Sequence, residues 1–277
     1  INFPISYFHK MRKHLHVIII LCSMLFALTT RAQVGDYRNT ISVGVSGGYI
    51  LTKMSFVTAV PQTMLGGMTG GVSFRYTSEK YFSTLCAIQA EINYAQKGWK
   101  EKIETYDNGP VINPKTGVAE AYQRRINYID IPVFAHLSWG KENKGVNAFV
   151  NLGPQIGFCI GESTTKNYDI AYSKANTEKG AFAEQGITQF SSRTGRISLV
   201  AAQEPMPVEK KIDYGITFGA GVEACINHVG RFDLEGRFYY GLGNIYGDSK
   251  KDYFGASNHT TIYIKLSYFY DLKKNKH

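Results

Sequence analysis

Long apolar runs are nearly missing from this chain of 277 residues. The one largely apolar stretch, Val17 to Leu28, is well short of the roughly twenty residues that a membrane helix needs, so no helical span is read anywhere. Cysteine is as scarce, with only Cys22, Cys86, Cys159 and Cys225. None sits in a Cys-x-x-Cys pair, which argues against a metal site. The last three make an odd set without tight spacing, so a disulfide framework is excluded and they read as small hydrophobes on strands. Gly-x-Ser-x-Gly, His-Glu-x-x-His and the phosphate loop are all missing, and the sequence therefore offers no catalytic, cofactor or metal residue.

The amino-terminal stretch reads as an export signal. Ile1 to Lys10 precede Met11, followed by Arg12 and Lys13, the apolar run, and Thr30-Arg31-Ala32, whose small residues place cleavage after Ala32. Residues 1–32 are thus an upstream extension plus signal peptide, and 33–277 one domain. Cys22 lies inside the apolar run behind Leu21, with no small residue before it, so the segment does not read as a lipoprotein signal. Residues 1–32 hold four bases (Lys10, Arg12, Lys13, Arg31) and no acid, so the formal charge of +9 falls to +5 on cleavage. That excess is too small to argue for nucleic acid as a partner.

What the chain does have is strict alternation. From Ile212 to Ile226, Ile212, Tyr214, Ile216, Phe218, Ala220, Val222, Ala224 and Ile226 alternate with Asp213, Gly215, Thr217, Gly219, Gly221, Glu223 and Cys225. Successive side chains of a strand point to opposite faces, so this is a two-faced strand. It runs about three times the usual ~5–6 residues and is long enough to cross a bilayer at a tilt. Seven other segments share the pattern: 40–52, 67–78, 85–97, 125–139, 146–161, 230–243 and 260–272. Eight is an even number, as an antiparallel barrel with both termini on one side requires. The connections alternate too, short at 79–84, 140–145 and 227–229 and long at 53–66, 98–124, 162–211 and 244–259. The fold class is all-β, an eight-stranded antiparallel up-and-down transmembrane β-barrel, whose long loops face outside if the amino terminus lies in the periplasm. The loop at 162–211 is long enough to be a binding surface or a cover.

Turning the apolar parity to lipid sends the charged parity into the lumen. There it gathers Arg75, Lys97, Arg231, Arg237 and Lys265 with Glu91, Asp130, Asp213, Glu223, Asp233 and Glu235. A barrel of eight strands has room only for its own side chains or one small ligand. Buried charges must pair, so the lumen should be a salt-bridged plug. Tyr94, Trp99, Trp139, Tyr240, Tyr268 and Tyr270 fall near strand ends, where rings with a polar edge suit the headgroup zone. Cys159 and Cys225 should lie at opposite ends of the lumen, too far apart to bond.

Two histidines are weighed for chemistry. His136 and Asp130 share a face, but six residues separate them by roughly 20 Å, which leaves His136 a hydrogen-bonding partner. His259, near Ser257, Asp248 and Asp252, reads as a solvated residue of an external loop, since nothing shows the fixed contact or oxyanion pocket that hydrolysis demands.

The stretches Glu91-Ile-Asn-Tyr-Ala-Gln-Lys-Gly98, Tyr128-Ile-Asp-Ile-Pro-Val133 and Leu152-Gly-Pro-Gln-Ile-Gly157 resemble the PorT-like outer-membrane β-barrel family common in Bacteroidetes. Asp213 to Gly221 and the closing Ile264-Lys-Leu-Ser-Tyr-Phe-Tyr270 follow in the same order. The resemblance implies an eight-stranded outer-membrane barrel with a link to the type IX secretion system, and no catalytic residue. Chains of this class usually finish on an aromatic residue; here Asp271 to His277 follow Tyr270, which makes the assembly signal internal. The function expected is a non-enzymatic structural or binding role at the cell envelope, with outer-membrane lipid and envelope or secretion proteins as partners and no cofactor. The alternatives are a narrow small-solute channel and a rim-active hydrolase using His259.

Overall fold

The structure is a computed structural model that describes residues 36–57, 62–103, 109–113, 116–141, 144–167, 207–226, 229–246 and 256–274. Eight long strands follow one another: β1 (Asp36–Val57), β2 (Leu65–Tyr81), β3 (Thr84–Lys102), β4 (Ala121–Trp139), β5 (Gly145–Lys166), β6 (Ile212–Ile226), β7 (Gly230–Gly241) and β8 (Ala256–Lys274). A two-residue segment, Gln62–Thr63, adds to β3 opposite Glu101 and Lys100. Each long strand pairs with its neighbour in sequence, and β1 closes on β8 from Thr40 opposite Lys274 to Val57 opposite Ala256. The sheet is a closed antiparallel ring, the solution that leaves no unpaired edge.

The two faces fall as the alternation requires. On β6, Ile216, Phe218 and Val222 are 53%, 52% and 46% exposed on the outer wall, while Asp213, Thr217 and Glu223 are buried inside. Every odd-numbered residue from Ile41 to Val57 on β1 and every even-numbered one from Ile212 to Ile226 on β6 points outward. Among the outward positions of β3 and β4 there is no acid. Tyr128 and Phe134, the aromatic residues that disturb the alternation of β4, lie inside with Asp130 and His136.

The strands are longer than the alternation alone suggests. β1 continues to Val57, β3 to Lys102 and β5 to Lys166, and β4 and β8 begin at Ala121 and Ala256, so much of the sequence expected as long loops is barrel wall. At ~3.3 Å per residue the 22 residues of β1 extend about 70 Å, far more than a tilted crossing needs. Most of the excess is at the long-loop end, and there the alternation inverts. Met54, Phe56, Trp99, Tyr122 and Ile126 turn inward, whereas Lys53, Ser55, Lys100, Lys102, Gln123 and Arg125 turn outward. Wall that has left the hydrocarbon meets water, so its apolar side moves to the centre.

Candidate functional site

The interior is built in levels along the axis. Nearest the short turns, Arg75 on β2 pairs through Nη1 with Glu223 Oε2 on β6 at 2.5 Å and through Nη2 with Asp233 Oδ2 on β7 at 2.5 Å. Its Nε donates to Gln89 Oε1 at 2.8 Å, and the guanidinium lies 3.9 Å from the ring centre of Phe269. Since β2 and β6 are four strands apart in a ring of eight, this one side chain spans the lumen. Arg231 pairs with Asp271 at 3.0 Å beside it. His136 Nδ1 shares a hydrogen bond with Asn151 Oδ1 at 2.7 Å, the partner role read for it in sequence.

At mid-height Glu91 is the hub. It accepts from Arg237 Nη1 and Nη2 at 2.9 Å each, Lys265 Nζ at 2.7 Å, Gln89 Nε2 at 2.7 Å and Asn93 Nδ2 at 2.7 Å. Arg237 also holds Glu235 at 2.7 Å, and its guanidinium sits 4.4 Å from the Phe134 ring centre. The fork of an arginine fits a carboxylate in two parallel bonds, which fixes β7 against the opposite wall, β3. Gly219 makes the level possible, because a Cβ there would stand 2.1 Å from Glu235 Oε1.

Higher still, Lys97 Nζ lies 2.9 Å from Asp130 Oδ1 and 3.2 Å from Asp213 Oδ2. The rings of Tyr239 and Tyr128 cover it at 4.4 and 4.9 Å, and Tyr263 donates to Asp130 Oδ2 at 3.2 Å. All eleven charged residues read into the lumen from the sequence are therefore inside and ion-paired. Arg231 finds its partner in Asp271 rather than within that set. Removing such charges from water costs several kcal/mol each, which the attraction offsets only when geometry is good and further hydrogen bonds fill the remaining positions, as they do around Glu91.

Above Lys97 the lumen is closed by an apolar cluster. Met54, Phe56, Trp99, Tyr122, Ile126 and Tyr128 come from the strands, and Ile103, Val111, Val208, Ile245 and Tyr246 come from the connections. Glu209 N and Lys210 N both donate to Ile245 O at 3.1 Å, tying two connections together over the mouth. Arg124 pairs with Glu162 at the edge and donates to Tyr246 Oη at 3.2 Å.

Two readings from the sequence need correction. Trp99, placed among the interfacial rings, is fully buried inside, edge-on to Phe56 at 5.2 Å and donating to Glu101 Oε1 at 3.1 Å. It shares the inward parity of Lys97, and parity overrides the general preference of tryptophan for interfaces. His259 is no solvated loop residue; it lies within β8, fully buried, with Nε2 3.2 Å from Tyr128 Oη. Ser257 Oγ accepts from Ile245 N at 3.1 Å and Tyr246 N at 3.2 Å, which commits it to the β7–β8 connection. Cys159 lies beside the apolar cluster and Cys225 beside Glu223 toward the other end, both free. Residues 1–32, most of the loop at 162–211, and Asp248 and Asp252 lie outside the described residues. Among the described residues no set of His, Cys, Asp and Glu side chains is arranged to hold a metal ion.

The family model described as "outer membrane protein beta-barrel domain" matches residues 31–247. The chain belongs to that family. Outer-membrane β-barrels of known structure are similar to it at low sequence identity. Neisserial surface protein A is 10% identical over 82% of this chain and 96% of its own, with a TM-score of 0.37. OprG from Pseudomonas aeruginosa is 10% identical over 85% of this chain and 98% of its own, at 0.41. Ail, the attachment invasion locus protein of Yersinia pestis, is 10% identical over 83% and 98%, at 0.33. No curated protein has a significant sequence match to the chain. As an outer-membrane barrel, the protein sits in the outer membrane with its apolar wall in lipid.

Proposed function

We propose that this outer-membrane barrel is a non-enzymatic envelope protein with a sealed lumen, acting through its long-loop end as a structural or binding element. The observation that carries the reading is the closure of the lumen at successive heights. Arg75 reaches across to Glu223 and Asp233, Glu91 to Arg237 and Lys265, and Lys97 to Asp213. A solute would have to break several buried pairs and then displace the cluster around Trp99. The start of β1, at the short-turn end, belongs in the periplasm, which turns the extended wall and long connections outward. Against hydrolysis stands the burial of His259 beneath that cluster and the use of Ser257 as a backbone acceptor. The finer form of the reading, attachment to a secretion or envelope assembly, rests on the PorT-like stretches around Glu91, Tyr128 and Leu152. Planar-bilayer recording of the purified chain tests the sealed lumen: a silent bilayer is expected, and reproducible conductance steps overturn it. Cross-linking in intact cells from the loop at 162–211 identifies an assembly partner, and an outcome with lipid alone removes the secretion form.

A further inference from the structure

The acids and bases of the lumen are not evenly matched from level to level. Around Glu91, two carboxylates, Glu91 and Glu235, meet two cations, Arg237 and Lys265, and all four carboxylate oxygens take hydrogen bonds. Around Lys97, two carboxylates, Asp130 and Asp213, share one ammonium. Asp130 uses both of its oxygens, Oδ1 with Lys97 and Oδ2 with Tyr263. Asp213 turns Oδ2 to Lys97 and has no hydrogen-bond partner for Oδ1, although the residue is only 2% exposed. Two other fully buried groups beside it, Tyr239 Oη and His259 Nδ1, also lack a partner. Arg75 likewise serves two acids, and there Asp233 Oδ1 is the oxygen without a partner. Asp213 differs from Asp233 in having a glycine against it. A Cβ on Gly241, which faces the lumen on β7, would stand 3.2 Å from Asp213 Oδ1 and 3.0 Å from His259 O, whereas Asp233 is not among the nearest neighbours of any described glycine. The missing side chain leaves room beside a buried, charged oxygen that has no donor, an unfavourable arrangement unless a cation joins it.

We propose that the lumen binds a small alkali cation, sodium or potassium, at the level of Lys97, on Asp213 Oδ1 beside Gly241. The cation brings that level to two positive charges against two negative, the balance already present around Glu91. One excess negative charge calls for one positive charge, so a divalent ion would leave the level unbalanced again. The donors at hand are oxygens, from the Asp213 carboxylate, the Tyr239 phenol and the His259 main-chain carbonyl, and hard oxygen donors suit hard cations. The apolar cluster around Trp99 covers the level from above, so the ion is taken up as the barrel closes during folding. The rival occupant is a proton shared by Asp213 and His259, which salt and pH separate from an alkali ion. The site stands whether or not the lumen conducts, and its test does not read conductance.

The test folds the full chain into phosphatidylcholine vesicles in the chloride of sodium, of potassium or of N-methyl-D-glucamine, a cation too large for the site, at equal ionic strength and neutral pH. The unfolding rate in urea is then measured in each salt. The unmodified protein is expected to unfold about tenfold more slowly in sodium or potassium chloride than in N-methyl-D-glucamine chloride, because an ion held only by the folded form stabilises it by mass action. Asp213→Asn, which removes the charge and keeps the shape, and Gly241→Ala, which fills the space, should each unfold at one rate in all three salts. Equal rates for the unmodified protein in the three salts overturn the proposal, and so does a salt preference that survives in either variant, which puts the ion elsewhere. Slower unfolding at mildly acidic pH with no difference among the salts assigns the charge to the proton and overturns it as well. The comparison of salts uses only the unmodified protein, so it decides the matter even if neither variant assembles.

Discussion

From the short turns up to Lys97, β3 turns Ile88, Ile92 and Tyr94 outward and Gln89, Glu91 and Asn93 inward; beyond Lys97 the same strand turns Trp99 inward and Lys100 and Lys102 outward. The two lengths of wall are continuous in hydrogen bonding and opposite in polarity. Hydrocarbon forces the first arrangement, because a polar group facing lipid finds no partner. Water forces the second, because apolar side chains then gain by moving to the centre. Between them the interior passes from ion pairs to an aromatic plug without any change of backbone. One architecture thus serves two solvents, and the position of the change marks where the membrane stops.

The largest effect expected from breaking this contrast is at Glu91. Glu91→Gln leaves Lys265 without its carboxylate and Arg237 with only Glu235, and should cost about 3 kcal/mol, read as a lower urea midpoint for unfolding from vesicles. A midpoint within error of the unmodified protein would deny the polar length its role. A lysine scan sharpens the boundary itself. Ile216→Lys, in the apolar belt, should destabilise by about 2–4 kcal/mol, whereas Gln123→Lys, above it, should cost less than about 0.5 kcal/mol. Equal penalties at the two sites would mean that lipid reaches past the inversion.

The smallest effect concerns the closing connection. Burial raises the Glu120 carboxyl above its ordinary range, and Oε2 has no hydrogen-bond partner. A carboxyl whose folded pKa is raised favours the fold below its unfolded value and loses that contribution as pH climbs through the folded one. Glu120→Gln should therefore stabilise the loop end by up to about 1 kcal/mol at neutral pH and have no effect at pH 3. Limited proteolysis at the two pH values reads it; a gain that persists at pH 3 would point to packing instead of charge.

Much of the lower barrel was legible residue by residue. Alternation on β6 separates Phe218 from Glu223 unaided, and it places Arg75, Glu91 and Lys97 inside, because a period of two admits no third face. The upper barrel was hard to read for the same reason. Once both wall and interior leave the hydrocarbon, apolar residues become inward ones, and a search for greasy outward rows ends the strands at Thr52, Lys97 and Thr260. The row Trp99, Glu101, then Tyr122, Arg124, Ile126 did carry a signal, since it keeps the inward parity of Lys97 and Asp130. His259 falls outside the apolar row of β8 because the strand begins four residues before that row, at Ala256.

The order of residues along each strand determined which side of the wall every side chain occupies, since that depends only on counting by twos and on which solvent lies outside. Which acid meets which base was decided by the closed ring. Glu91 and Arg237 are 146 positions apart, and they come to one height only through the register and stagger of the strands that close the barrel between them.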